Sequence, residues 1–70
     1  MQYTVIVEKE SQSDWGAYVP DLPGCVATAQ TREEVERLIR EAIDFHIEGM
    51  RLHREEVPEP TSTAFLVDVA

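Results

Sequence analysis

The chain has one cysteine, one lysine and three glycines among its 70 residues. Cys25 alone cannot form an intrachain disulfide, and no Cys/His cluster stands at zinc-ligand spacing. The two histidines, His46 and His53, are two helical turns apart, roughly 10.5 Å. That is too far to share one ion through Zn–N bonds of about 2.0–2.1 Å, so both read as core or interface residues. Three glycines leave no room for a Gly-rich phosphate loop. Ser11, Ser13 and Ser62 fall in turn-like segments without the strand–turn–helix setting of a nucleophile elbow. Cys25 opens a strand pattern, with no helix N-terminus or basic neighbour to lower its pKa. No catalytic residue, cofactor site or metal-ligand set emerges, and a non-enzymatic protein is expected.

Long apolar runs are missing too. None approaches the ~20 residues that span a bilayer, and the chain opens on a strand pattern rather than a basic and apolar leader. A soluble cytoplasmic protein is the expectation. Basic residues are scarce: six Lys/Arg against fourteen Asp/Glu give a net charge of −8. Such a surface repels phosphate backbones, which are bound by Lys/Arg neutralisation. No direct nucleic-acid or membrane binding is expected, and a basic protein partner suits the charge.

What is present makes one domain over residues 1–70. A chain of this size buries roughly 60% of the surface it exposes when unfolded, a marginal core. With no disulfide or metal, oligomerisation is the expected stabiliser. Residues 2–9, "QYTVIVEK", alternate as a strand with Tyr3, Val5 and Val7 on one face. "WGAYV" places Trp15, Ala17 and Val19 together, and "CVATA" follows as a third strand. Short connections between the three predict an antiparallel meander.

Between the second and third strands lies "VPDLPGC", residues 19–25. Pro20 has no N–H and ends a ladder, Asp21 suits an Asx turn, and Pro23-Gly24 fits the centre of a type II turn. "TREE" then predicts a helix with Thr31 as N-cap and Glu34 completing a capping box. The helical pattern runs to about Arg54, before the prolines at 58 and 60. Its apolar arc, with Phe45, Ile47 and Leu52 flanking the central face, is roughly twice the ~100° stripe that covers one sheet. Phe45, Ile47, Met50 and Leu52 are therefore candidate oligomer contacts. Arg37, Arg40, Arg51 and Arg54 are interleaved with acids, predicting Glu33–Arg37 and Glu36–Arg40 pairs on a solvated face. "STAFLVDV" alternates as a last strand, giving the order β-β-β-α-β.

Taken together, Tyr18, Val19 to Cys25, Thr31 with Glu33 and Glu34, Glu41-Ala42-Ile43 and the closing Val57 to Pro60 resemble the HicB family of bacterial and archaeal antitoxins. The resemblance covers nearly the whole chain. It departs at Ala29-Gln30, where the family usually carries a glycine before the helix. It implies an α+β, partial ribonuclease-H-like fold: a three-stranded antiparallel meander, a long helix, and a final strand parallel to the first. It implies an antitoxin that binds and occludes HicA, a small basic ribonuclease toxin, and that forms dimers or tetramers. Full-length members add a C-terminal DNA-binding domain, so this chain corresponds to a short, single-domain form. The partner surface expected is the second strand and its corner: Trp15, Tyr18, Pro20, Asp21, Leu22 and Pro23. The alternatives are a solitary oligomeric structural or regulatory domain without a toxin, and, more distantly, a metal-dependent nuclease with Asp68 as one carboxylate.

Overall fold

The alternating segments resolve into three short strands, β1 (Ile6–Lys9), β2 (Trp15–Tyr18) and β3 (Val26–Ala29), followed by one helix, α1 (Arg32–Leu52). These come from a computed structural model covering Met1–Ala70. The strands form one antiparallel sheet in the order β1-β2-β3, with Val7 opposite Ala17 and Ala17 opposite Ala27. Because strand side chains alternate and cross-strand partners share a face, Tyr3, Val5, Val7, Trp15, Ala17, Val19, Ala27 and Ala29 all face α1. Ala17, Val19, Leu22, Cys25, Val35 and Ile39 are the buried core, with Ala42, Ile43 and Ile47 packed against it. Full burial of a Leu or Val side chain such as Leu22 or Val35 stabilises by about 1.5–3 kcal/mol. Burial also pushes the Cys25 thiol pKa up, keeping it protonated and inert.

The helix starts where Thr31 predicts. Its backbone is extended (φ −132°), and its Oγ1 accepts the Glu34 N–H at 3.1 Å. Acids at Glu33 and Glu34 face the positive end of the helix dipole. The other end differs from the sequence expectation. The prolines do not stop the helix, because it has already ended at Leu52 through a Schellman motif. Arg54 adopts φ 56°, its N–H donates to Arg51 O at 3.1 Å, and the Glu55 N–H donates to Met50 O at 2.8 Å. A left-handed backbone costs a non-glycine residue roughly 1–2 kcal/mol, offset here by two satisfied carbonyls. The surface ion pairs also differ: Arg32–Glu36 at 3.0 Å, Arg37–Glu41 at 3.3 Å and Arg37–Glu34 at 3.9 Å. All are exposed, and such pairs contribute about 0.3–0.5 kcal/mol each.

The last expected element is the main departure. Residues 63–70 form no strand against β1, so the fold is β-β-β-α followed by an extended tail. Phe65, Leu66, Val67 and Val69 are 84%, 100%, 67% and 88% exposed. The molecule is 46 Å long with a radius of gyration of 13.5 Å, against about 11 Å for a globular chain of this length.

Candidate partner-binding surface

The VPDLPGC corner is two successive β-turns sharing Leu22. The Leu22 N–H donates to Val19 O at 3.0 Å and the Cys25 N–H to Leu22 O at 3.1 Å, while the Val19 N–H to Cys25 O bond (3.3 Å) closes the base. Pro23 precedes Gly24, whose φ of 84° is the positive value that a type II turn requires. A period of three results: Val19, Leu22 and Cys25 point into the core, whereas Pro20, Pro23 and Gly24 are exposed.

Leu22 is 1% exposed and plugs the core, so its side chain is not part of the accessible surface. Asp21 makes no Asx turn. Its carboxylate accepts the Thr61 and Ser62 N–H groups, both at 2.9 Å, and their hydroxyls at 3.1 and 2.8 Å. The Ser62 bonds are the leading cause of its depressed pKa, with those from Thr61 adding to them and desolvation opposing. Thr4 Oγ1 donates to Ser62 O at 2.6 Å, and the Tyr3 hydroxyl donates to Pro58 O. The corner is thus a clamp that fixes the root of the C-terminal tail beside the start of the first strand. Sequence reasoning missed this because the partners lie 40 and 41 residues away; only the Thr-Ser pair after the prolines hinted at it.

The remaining expected contacts divide between the two faces of the sheet. Trp15 lies on the α1 side, half-buried against the core. Tyr18 lies on the opposite side, which the helix leaves uncovered. There Ile6, Tyr18 and Val26 form one cross-strand row, with Tyr18 41% and Val26 63% exposed. Acids border the row. Glu8 stands opposite Gly16, and the Glu10 carboxylate folds over Gly16, where a Cβ would run into it. This is an apolar strip with negative flanks and Pro20 and Pro23 exposed nearby.

A second exposed apolar feature runs along one flank of α1. A groove of about 670 Å3 between the helix and β3 is lined by Val26, Ala27, Leu38, Ala42 and Phe45. A further depression continues it past Phe45, Gly49 and Leu52. Positions 38, 42, 45, 49 and 52 alternate four and three apart, the spacing of a coiled-coil seam. Phe45 is 80% and Leu52 76% exposed, while Met50 is half-buried and Ile47 packs on the core. No three His, Cys, Asp or Glu side chains converge as a metal site, and no helix is long and apolar enough to cross a membrane. Asp68 lies in the exposed tail.

The fold is a small sheet with one face left uncovered by the helix and an exposed C-terminal tail clamped at its root. The sequence matches the HicB-like antitoxins of bacterial toxin–antitoxin systems over residues 3–69, and the chain belongs to that family. It is 36% identical to a UPF0150 protein of Thermoplasma acidophilum over 96% of this chain and 97% of that one. A UPF0150 protein of Synechocystis is 39% identical over 81% of this chain and 72% of its own length. An uncharacterized 14.9 kDa protein of Haemophilus phage HP1 is 41% identical over 84% of this chain, which spans 44% of the phage protein. No solved structure is significantly similar.

Proposed function

We propose that this chain is the antitoxin of a toxin–antitoxin pair and acts by binding and covering a small basic HicA-like ribonuclease toxin. The observation that carries the reading is the uncovered face of the sheet: an apolar Ile6–Tyr18–Val26 row edged by Glu8 and Glu10, on a chain of net charge −8. Negative flanks steer a basic partner into encounter, and an aromatic at the centre of an apolar strip is the usual site of strong binding. Tyr18 is the proposed anchor, with Pro20 and Pro23 as a rigid border and half-buried Trp15 supporting the strand from behind. The chain works in the cytoplasm, adopts a ribonuclease-H-like arrangement and self-associates through the flank of α1 that carries Phe45 and Leu52.

Co-expression with a HicA-like toxin from the same genome tests the reading. Growth should be restored and the two proteins should co-purify, and Tyr18→Glu should weaken the complex by roughly 30-fold or more, the scale of a central aromatic anchor. Persistent growth arrest with a folded chain and no co-purification would overturn it. The exposed 4-3 seam on α1 favours a second reading, a self-associating regulatory domain without a toxin. That reading predicts full oligomerisation and no rescue.

A further inference from the structure

We propose that the free edge of β3 pairs antiparallel with the β3 edge of a second copy of this chain, across a two-fold axis at Ala27, joining two sheets into one of six strands. The inference rests on the self-association in the reading above, gives it a specific edge, and is independent of the toxin.

Three observations carry it. The first is the ladder. β3 is an edge strand, bonded only to β2 in an unbroken register from Val26 to Ala29. The Val19 N–H donates to Cys25 O at 3.3 Å, and antiparallel partners alternate between bonded and non-bonded pairs. Cys25, Ala27 and Ala29 therefore turn their backbone groups to β2, while Val26 and Thr28 turn theirs to the open edge. The second is the composition of that edge. β3 has none of the charges, prolines or bulges that keep natural edges apart. No charged residue lies between Leu22 and Thr31, whereas the other edge, β1, carries Glu8 and Lys9 and runs into Glu10. The third is the groove of about 670 Å3 between α1 and β3, lined by Val26, Ala27, Leu38, Ala42 and Phe45. It opens along this same edge, because the opposite flank of α1 faces Val5 and Val7 of the first strand. Phe45 stands 80% exposed at its rim.

Charge decides between a second copy and a basic partner. A basic partner is drawn by acids, and on the sheet these are Glu8 and Glu10, on the side away from β3. A neutral edge is where two chains of net charge −8 can meet backbone to backbone. A two-fold axis pairs like edges antiparallel. Val26 exchanges both bonds with the second copy's Thr28, and Thr28 with its Val26, so both edges are satisfied at once. The same axis sets the two helix flanks side by side in opposite directions. Phe45 of each copy then covers the groove of the other. Each exposed Arg37–Glu41 pair, 3.3 Å long, meets the same pair reversed, base against acid. The uncovered sheet faces fall on one side, so the dimer presents two Tyr18 strips on a single surface.

The test is sedimentation velocity over a range of concentrations, with amide hydrogen exchange on the same samples. The chain should dimerise, and protection at Val26 and Thr28 should rise with concentration while that of Val7, on the other free edge, does not. Thr28→Pro removes an amide that bonds nothing in the lone chain, and an edge strand tolerates proline where the N–H faces out. It should give a monomer with an unchanged helical circular-dichroism signal, and Thr28→Val should still dimerise. Phe45→Glu, at a site exposed in the lone chain, should weaken the dimer by roughly tenfold or more. A monomer at every concentration would overturn the proposal. So would a dimer that survives Thr28→Pro, or one whose protection rises at Val7 and not at Val26 and Thr28. No toxin enters these measurements, so their outcome is separate from that of the co-expression.

Discussion

The first strand and the C-terminal tail are written in the same alphabet, and the structure treats them in opposite ways. "YTVIVEK" and "AFLVDVA" both alternate apolar residues with no breaker, and both read as strands by period. The first is hydrogen-bonded along β2 and shelters Val5 and Val7 against the core. The second touches no neighbouring strand and leaves its apolar side chains in solvent. The difference lies at the boundaries. The polar Ser-Gln-Ser-Asp turn returns the chain after β1, with the Glu10 N–H donating to Asp14 O at 2.9 Å, and delivers β2 alongside it. The tail instead leaves from the Asp21 clamp, with no hydrogen-bonded turn after it to hold it alongside a strand. Alternation thus specifies that a segment can be a strand, and the connection decides whether it pairs.

Substitutions can sharpen that comparison. The largest effect is expected in the corner that supports both regions: Leu22→Ala should cost about 3 kcal/mol by opening a cavity in a small core, read as a lowered urea midpoint. Acid should next release the tail root without unfolding the sheet. The Asp21 pKa lies below its ordinary 3.8, so its contribution is complete above that ordinary value and is lost as the pH falls through the folded-state value. Protection of the Thr61 and Ser62 amides, taken relative to the intrinsic exchange rate at each pH, should fall over that window while Ala17 stays protected, and Asp21→Asn should reproduce the release at neutral pH. Thr31→Ala should remove the N-cap bond and lower stability by about 1 kcal/mol. Arg54→Gly should raise it by about 0.5–1 kcal/mol, since glycine relieves the left-handed Schellman position. Leu66→Asp should sit at the small end, within about 0.5 kcal/mol for a dilute chain, as for an exposed site. A larger cost there would place the tail inside the monomer fold.

Much of the architecture was legible locally. The three strands, their faces, the type II turn at Pro23-Gly24 and the Thr31 cap each rest on neighbours within a few residues, and all appear where expected. What escaped depends on distance or on competition. Leu22 looks exposed between two prolines, but the double turn rotates it inward. Asp21 suits a local Asx turn, and its oxygens are taken instead by Thr61 and Ser62. The helix ends at Leu52 because Arg54 takes a glycine-like conformation that no residue-type signal announced. Of the expected interaction residues, Tyr18, Pro20 and Pro23 share an accessible region. Trp15, on the other face of the same strand, is separated from Tyr18 by the odd spacing that alternation imposes.

The most direct measurement is amide hydrogen exchange at Phe65 and Val67, with Ala17 of the central strand as the internal reference. The account predicts that both tail amides exchange freely while Ala17 stays protected. Tail amides protected as strongly as Ala17 would contradict it.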